Sequence, residues 1–438
     1  MPTSTSSSLV DLDQNIYHIP SFTLESGAVL YDVPVAYKTW GKLNEARDNV
    51  MVICHALTGS ADVQDWWGPL MGRGKAFDLT RYFIFCANVL GSPYGSASPI
   101  TINPRTGKPY GPEFPATTVR DDVRIHKLVL DHLNITSIAT VIGGSMGGMA
   151  VLEWPLCTPA GYVRSIVPIA TCAQHSAWCI AWGEAQRQAI YGDEEFKNGW
   201  YEHGKQPKAG LSAARMAAML MYRSRDSFEA RFGRKKQAVG AKKEVKKEKE
   251  VKGGPLTPSH PPPTNRRISQ RAPPKMSRQR TAEEIFAAQS YLRYQGAKFL
   301  ARFDANCYIH ITFKMDTHDI ARGRLSDSCS SPSEVLAQLP PSLVMGVRSD
   351  GLFTPAEQEE IARGIPNAEL VMLDSDDGHD GFLLEFEQLN WHIVEFLKNM
   401  YPGMYESAAE DEEVVEEEGF EMQKTSVFGE AEADDIGV

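Results

Sequence analysis

Six short stretches of the chain, residues 50–54, 82–88, 138–142, 165–169, 343–347 and 369–373, are almost continuously apolar and rich in Val and Ile. Runs of this length and character predict strands covered on both faces, as in a parallel sheet, rather than strands with one wet face. Segments with a helical spacing of apolar positions lie between them, at 120–133 and 148–154. Strands that alternate with helices predict an α/β sheet built from crossover connections. Residues 173–325 break this rhythm: 184–191, 211–222 and 282–303 read as helices with no strand between them. Such a helical excursion is expected to fold as a lid over the carboxyl ends of the strands, where open α/β sheets bind ligands.

The pattern divides the 438 residues into an α/β core at 22–172 and 330–400, a helical lid at 173–329, an N-terminal extension at 1–21 and a tail at 401–438. Charge changes the picture in two places. Residues 234–280 hold fifteen Lys/Arg against three Glu, and residues 406–438 hold thirteen Asp/Glu against Lys424 alone. The basic stretch is too poor in large apolar residues to offset its ordering entropy, and is expected to be a disordered insertion in the lid. It has no aromatic residues to stack on bases, so a solvated loop is favoured over a nucleic-acid patch. The acidic tail is expected to be a solvated terminus.

Composition narrows the class further. With 42% hydrophobic and 23% charged residues, the chain reads as a soluble globular protein. No run of 18 apolar residues suggests a membrane span, and the Ser/Thr-rich start lacks the basic and apolar regions of a secretory signal. Seven cysteines at no framework spacing predict reduced thiols in a cytoplasmic protein. Cys172, His175 and Cys179 lie close together, but no second ligand pair stands at a zinc spacing, so no metal site is expected.

The most informative segment is the run from Ile138 to Trp154, IATVIGGSMGGMAVLEW. An apolar strand is followed by G-x-S-x-G at Gly143, Ser145 and Gly147, then by a helical pattern. That context predicts a nucleophile elbow, with Ser145 on a sharp strand-to-helix turn. Glycines flank it because the turn is strained and neighbouring backbone comes close. The base and acid should follow in the order Ser, acid, His, each just beyond a late strand. Asp350 follows the run 343–347 and His379 follows 369–373. Of eleven histidines only His379 and His392 lie beyond Asp350, and His392 sits inside a helical pattern. The oxyanion hole should take one N–H from Met146 and one from the loop HALTG after the first apolar run, with Leu57 as the candidate.

At these residues the chain resembles the homoserine O-acetyltransferases, in their fungal form. The matching stretches include VICHALTGSADVQDWWGPL, VIGGSMGGM, HSAWCIAWGEAQRQAIY, GLSAARMAAMLMYRS, KMDTHDIAR, SDGLFT and GHDGFLLEF, and run from about residue 22 to 396. The resemblance implies an α/β-hydrolase fold, mostly parallel in its sheet, with helices on both faces and a helical lid. It implies acyl transfer from acetyl-CoA, as a co-substrate and not a bound cofactor, to L-homoserine in methionine biosynthesis. Its nucleophile, acid and base fall on Ser145, Asp350 and His379. Its substrate-binding arginine and aspartate fall on Arg215 and Asp380. A guanidinium suits the carboxylate of homoserine and a carboxylate suits its ammonium. The expected partners are these small molecules, with no nucleic acid and no membrane, and the expected assembly is a homodimer. An esterase would use the same three residues; a transferase must also keep water from the acyl-enzyme.

Overall fold

The computed structural model describes residues 12–202, 204–237, 285–325 and 331–406. Its centre is an eight-stranded sheet: β1 (Asn15–Thr23), β2 (Val29–Trp40), β3 (Val50–Cys54), β4 (Phe83–Ala87), β5 (Ile138–Gly144), β6 (Val163–Ile169), β7 (Ser342–Val347) and β8 (Ala368–Leu373). The order across the sheet is β1-β2-β4-β3-β5-β6-β7-β8. β2 pairs antiparallel with both β1 and β4, and every pairing from β4 to β8 is parallel. The six apolar runs are the six strands of the parallel part. All seven residues of β5 are buried. Alternate residues of β3 serve opposite faces: Val50, Val52 and Cys54 join one apolar cluster, Met51 and Ile53 the other.

Two helices cover the first face, α1 (Val119–His132) and α2 (Met146–Cys157). The lid then contributes α3 (Ala177–Tyr191), α4 (Lys208–Tyr222), α5 (Arg225–Phe232), α6 (Ala287–Phe299) and α7 (Ala305–Asp316). After it come α8 (Pro355–Gly364), α9 (Phe386–Met400) and α10 (Pro402–Glu406). Thr118 starts α1 with a reciprocal cap: its hydroxyl accepts from Asp121 N–H, and the Asp121 carboxylate accepts from Thr118 N–H. A buried ion pair ties the lid to the core. Lys314 of α7 donates to Asp122 of α1 and to the Leu90 carbonyl, each at 2.6 Å. No helix among the described residues is long and apolar enough to cross a membrane.

Four boundaries differ from the sequence reading. The stretch at 1–21 is not all an extension, since β1 begins at Asn15 and pairs with β2 along its length. Both strands expose many residues, so neither shows the continuous apolar run that marks the parallel strands. The expected helix at 282–303 stops at Phe299, and a turn separates it from α7. Asp304 is the cause: it caps α7, its carboxylate accepting from Cys307 N–H at 3.1 Å. The core also runs past residue 400. Tyr401 donates to the Ala139 carbonyl of β5, and Arg81 stacks on the Tyr405 ring at 4.7 Å. Finally, Lys236–Gln237 pairs antiparallel with Ile285–Phe286, so the basic stretch opens inside a two-stranded ladder. The rest of that stretch, 238–284, and the acidic tail beyond 406 lie outside the described residues, as do the expectations of disorder attached to them.

Candidate active site

The strand–glycine–helix sequence around Ser145 folds as a tight elbow. Ser145 has φ 58° and ψ −126°, a conformation that L residues seldom adopt, between β5 and the first turn of α2. The neighbouring glycines make it possible. A Cβ on Gly147 would lie 2.1 Å from the Cys54 carbonyl oxygen, and one on Gly143 would lie 2.7 Å from the same atom. The elbow is therefore pressed against the end of β3, and any side chain there would displace backbone. Ser145 N–H donates to the Ile169 carbonyl at 3.0 Å, and Thr171 Oγ1 donates to the Ser145 carbonyl at 2.8 Å.

Ser145, His379 and Asp350 are joined in one hydrogen-bonded chain. His379 Nε2 is 2.9 Å from Ser145 Oγ, and His379 Nδ1 is 2.7 Å from Asp350 Oδ2. All three are buried, at 6%, 3% and 4% exposure. Asp350 follows β7; its other oxygen, Oδ1, accepts from Leu352 N–H at 2.8 Å and Phe353 N–H at 3.0 Å. Those two bonds fix the carboxylate and leave Oδ2 for the imidazole. His379 follows β8 in the short turn Gly378–Asp380. The rings of Phe353, Phe382 and Tyr222 lie 5.2, 5.1 and 6.0 Å from the imidazole. His392 lies on α9, away from this chain of bonds, as its helical pattern suggested.

The loop after β3 carries Leu57, which borders the same cavity as Ser145. His55 braces it: Nδ1 donates to the Ala56 carbonyl at 2.8 Å, and Nε2 accepts from Val89 N–H at 3.1 Å. Burial drives the His55 pKa down to about 4, so the ring is neutral and can accept. Met146 opens α2, where the first N–H groups of a helix have no partner within it. Leu57 and Met146 are the two donors that the sequence nominated. Cys179 also lines this cavity, with its thiol pushed up to about 12 by burial and thus no nucleophile near neutral pH.

Arg215 and Asp380 stand further back. Arg215, on α4, is buried with its guanidinium 5.0 Å from the Phe299 ring and 5.9 Å from the Tyr222 ring. Asp380, directly after His379, is 1% exposed, and its Oδ2 lies 2.9 Å from Arg223 Nε. Sequence reasoning missed Arg223, which also binds Asp377 at 2.6 Å. It missed Arg302 as well: from the lid, this side chain donates to the Thr58 carbonyl, next to Leu57, at 2.9 Å. Gln358, on α8, grips the Thr171 backbone through both amide atoms. None of the three carries a local motif; each matters only through a contact distant in sequence.

Comparison with known proteins adds a family. Residues 49–386 match the model of the alpha/beta hydrolase fold. The homoserine O-acetyltransferase of Cryptococcus neoformans var. grubii is 51% identical, over 97% of this chain and 96% of that one. The chain belongs to the homoserine O-acetyltransferase family. The crystal structure of the homoserine O-acetyltransferase from Bacillus anthracis superposes with a TM-score of 0.73 at 22% identity, over 88% of this chain and 97% of that one. A crystallised esterase superposes almost as well, with a TM-score of 0.71 at 23% identity, over 88% and 99%. At such identities these two structures speak for the fold alone, and the fold serves hydrolase and transferase alike.

Proposed function

We propose that this protein moves the acetyl group of acetyl-CoA to the hydroxyl of L-homoserine through an acyl-enzyme on Ser145. The observation that carries the reading is the Ser145–His379–Asp350 chain of bonds in a sequence half identical, over nearly its whole length, to a fungal homoserine O-acetyltransferase. Asp350 accepts from Nδ1–H and so leaves Nε2 as the acceptor facing the Ser145 hydroxyl. In the first step Ser145 Oγ attacks the thioester carbon while His379 takes the hydroxyl proton. The C–S bond then breaks, and the proton passes from His379 to the departing CoA thiolate. In the second step His379 takes the proton of the homoserine hydroxyl as that oxygen attacks the acyl carbon. The Ser145–acyl bond breaks and the proton returns to Oγ. The oxyanion formed in each step is held by the N–H groups of Met146 and Leu57.

Arg215 and Asp380 fit the acceptor, a guanidinium for its carboxylate and a carboxylate for its ammonium, with Arg223 holding Asp380 in place. The burial of Ser145 and His379 is consistent with a site shielded from water, which a transferase needs. The test is CoA release from acetyl-CoA with homoserine, with serine and with no acceptor. Homoserine should accelerate release by orders of magnitude over the other two. Equal rates in all three would make the protein an esterase.

A further inference from the structure

One wall of the Ser145 cavity is not used by the chemistry above. Arg187 on α3 and Asp316, the last residue of α7, form an ion pair there, with Nη2 2.7 Å from Oδ2. Arg187 is 2% exposed, and Asp316 and Gly183 both line the cavity. A guanidinium and a carboxylate commonly close on each other with two parallel bonds. Here one is made. Arg187 Nη1 and Asp316 Oδ1 are both buried and have no hydrogen-bond partner among the described residues. Open polar atoms of this kind are costly in a protein interior. A Cβ on Gly183 would lie 3.2 Å from that Nη1 and 3.4 Å from that Oδ1. The two open atoms thus share one small space, and the residue beside it has no side chain to fill it.

Helix stability gives no reason for this aspartate. A carboxylate on the last residue of a helix faces the negative end of the helix dipole. Nor does the charge suit an anion: Arg187 Nε also donates to Glu184 at 3.0 Å, so one guanidinium serves two carboxylates. One free donor beside one free acceptor matches neutral amide groups. The location matches as well, since Asp316 also borders two larger cavities of about 520 and 550 Å3. Asp316 thus lines both the Ser145 cavity and spaces larger than a four-carbon amino acid needs. A thioester donor with a long amide-bearing arm would use that space.

We propose that the Arg187–Asp316 pair binds the amide groups of the acyl donor's arm, Arg187 Nη1 donating to an amide carbonyl and Asp316 Oδ1 accepting from the N–H of a different amide. The proposal rests on the reading of this protein as an acyltransferase that uses acetyl-CoA. Gly183→Ala should place a methyl group in the shared space, and Asp316→Asn should change the acceptor while keeping its shape. Acylation would be measured with acetyl-CoA and with p-nitrophenyl acetate, which has no amide, together with the KM for homoserine. In Gly183→Ala, kcat/KM for acetyl-CoA should fall about tenfold relative to p-nitrophenyl acetate, a change of about 1.4 kcal/mol. Asp316→Asn should shift the ratio in the same direction, with the homoserine KM staying within about twofold of wild type.

Equal losses on both donors would overturn the proposal and leave the pair a brace between lid helices. A raised homoserine KM at an unchanged donor ratio would make it an ammonium site instead. No change in either variant would mean that the space holds only water. Wild-type protein that turns over acetyl-CoA but ignores homoserine would refute the acyltransferase reading while the donor ratio could still be read.

Discussion

The sheet and the lid build this site by different rules. In the sheet, each of Ser145, Asp350 and His379 stands past the carboxyl end of a parallel strand, so the backbone delivers it, and two neighbouring N–H groups hold Asp350. In the lid, the residues that reach the site are charged side chains buried among helices: Arg187, Arg215, Arg223 and Arg302. The first arrangement is rigid because it is covalently close to the sheet. The second depends on pairing, since a buried charge is stable only with a partner. On the proposed reading, chemistry belongs to the sheet, and recognition is shared between buried side chains of the lid and Asp380 beside the base.

That division predicts the largest effect at the sheet. Asp350→Asn should leave the fold intact and slow acylation by about 10⁴-fold, the cost of holding the imidazole in the wrong tautomer. Asn at Asp374, Asp376 or Asp377 should cost far less, because Asp350 is the carboxylate that bonds His379 Nδ1; Asp377 binds Arg223 and Ser227 instead. Stopped-flow acylation of the four variants decides it. Wild-type acylation by Asp350→Asn would mean that the acid lies elsewhere.

The next effect belongs to the lid and appears in stability. Arg223→Met would leave Asp380, 1% exposed, without its Arg223 partner. Losing one member of a buried pair costs about 3–5 kcal/mol. Arg225→Met removes a pair with Asp226 at 3.3 Å, but both side chains are more than four-fifths exposed, and urea unfolding should not register it. Equal unfolding midpoints for the two variants would erase the distinction between a lid built on pairing and an ordinary charged surface.

The contrast also explains which parts of the molecule the sequence reveals. Parallel strands are legible because burial on both faces forces an apolar run, as in 138–142, and the elbow is legible because its strain demands Gly143 and Gly147 around Ser145. Once these are placed, chain order leads to Asp350 and His379. β1 and β2 escape the same reading because the edge of the sheet is partly wet. Arg223, Arg302 and Gln358 escape it for another reason. Each looks like a solvated residue on a helix or turn until folding brings Asp380, Thr58 or Thr171 beside it.

A third test bears on the buried polar cluster where lid meets sheet. Burial, opposed by a hydrogen bond to the Asn88 carbonyl, drives the His126 pKa down to about 3, and His55 beside it is held near 4. Unfolded, both would titrate near 6.5. The folded state thus binds fewer protons below that pH, and stability should fall as pH drops from about 6.5 toward 4, by up to about 1.4 kcal/mol per pH unit for each histidine. Asp122 acts in the opposite sense: burial outweighs the pull of Lys314 and raises its carboxyl to about 6, so protonation near there favours the folded state. Urea midpoints at pH 7.5 and 5.5 should therefore differ, and His126→Gln, which keeps an N–H for Asn88, should flatten the difference. An unchanged slope in that variant would remove His126 from the account.

The smallest effect is expected at the basic stretch. Its composition suggests little packing, and the ladder supplies a geometric reason why it can be shortened. Gln237 lies opposite Ile285 in an antiparallel pair, so the two ends of 238–284 are already neighbours. A Gly/Ser linker of about four residues is long enough to close such a pair as a hairpin. Loop-closure entropy changes by only about 0.6 kcal/mol for each doubling of length, so shortening by three to four doublings should stabilise the ladder by about 2 kcal/mol at most. Turnover should stay within a few-fold of wild type, because the bonds that join Ser145, His379 and Asp350 are made among core residues that follow β5, β7 and β8. The measurement is kcat and KM for both substrates on the shortened chain. A folded protein with turnover abolished would show that the stretch reaches the active site, and that recognition in the lid extends beyond its helices.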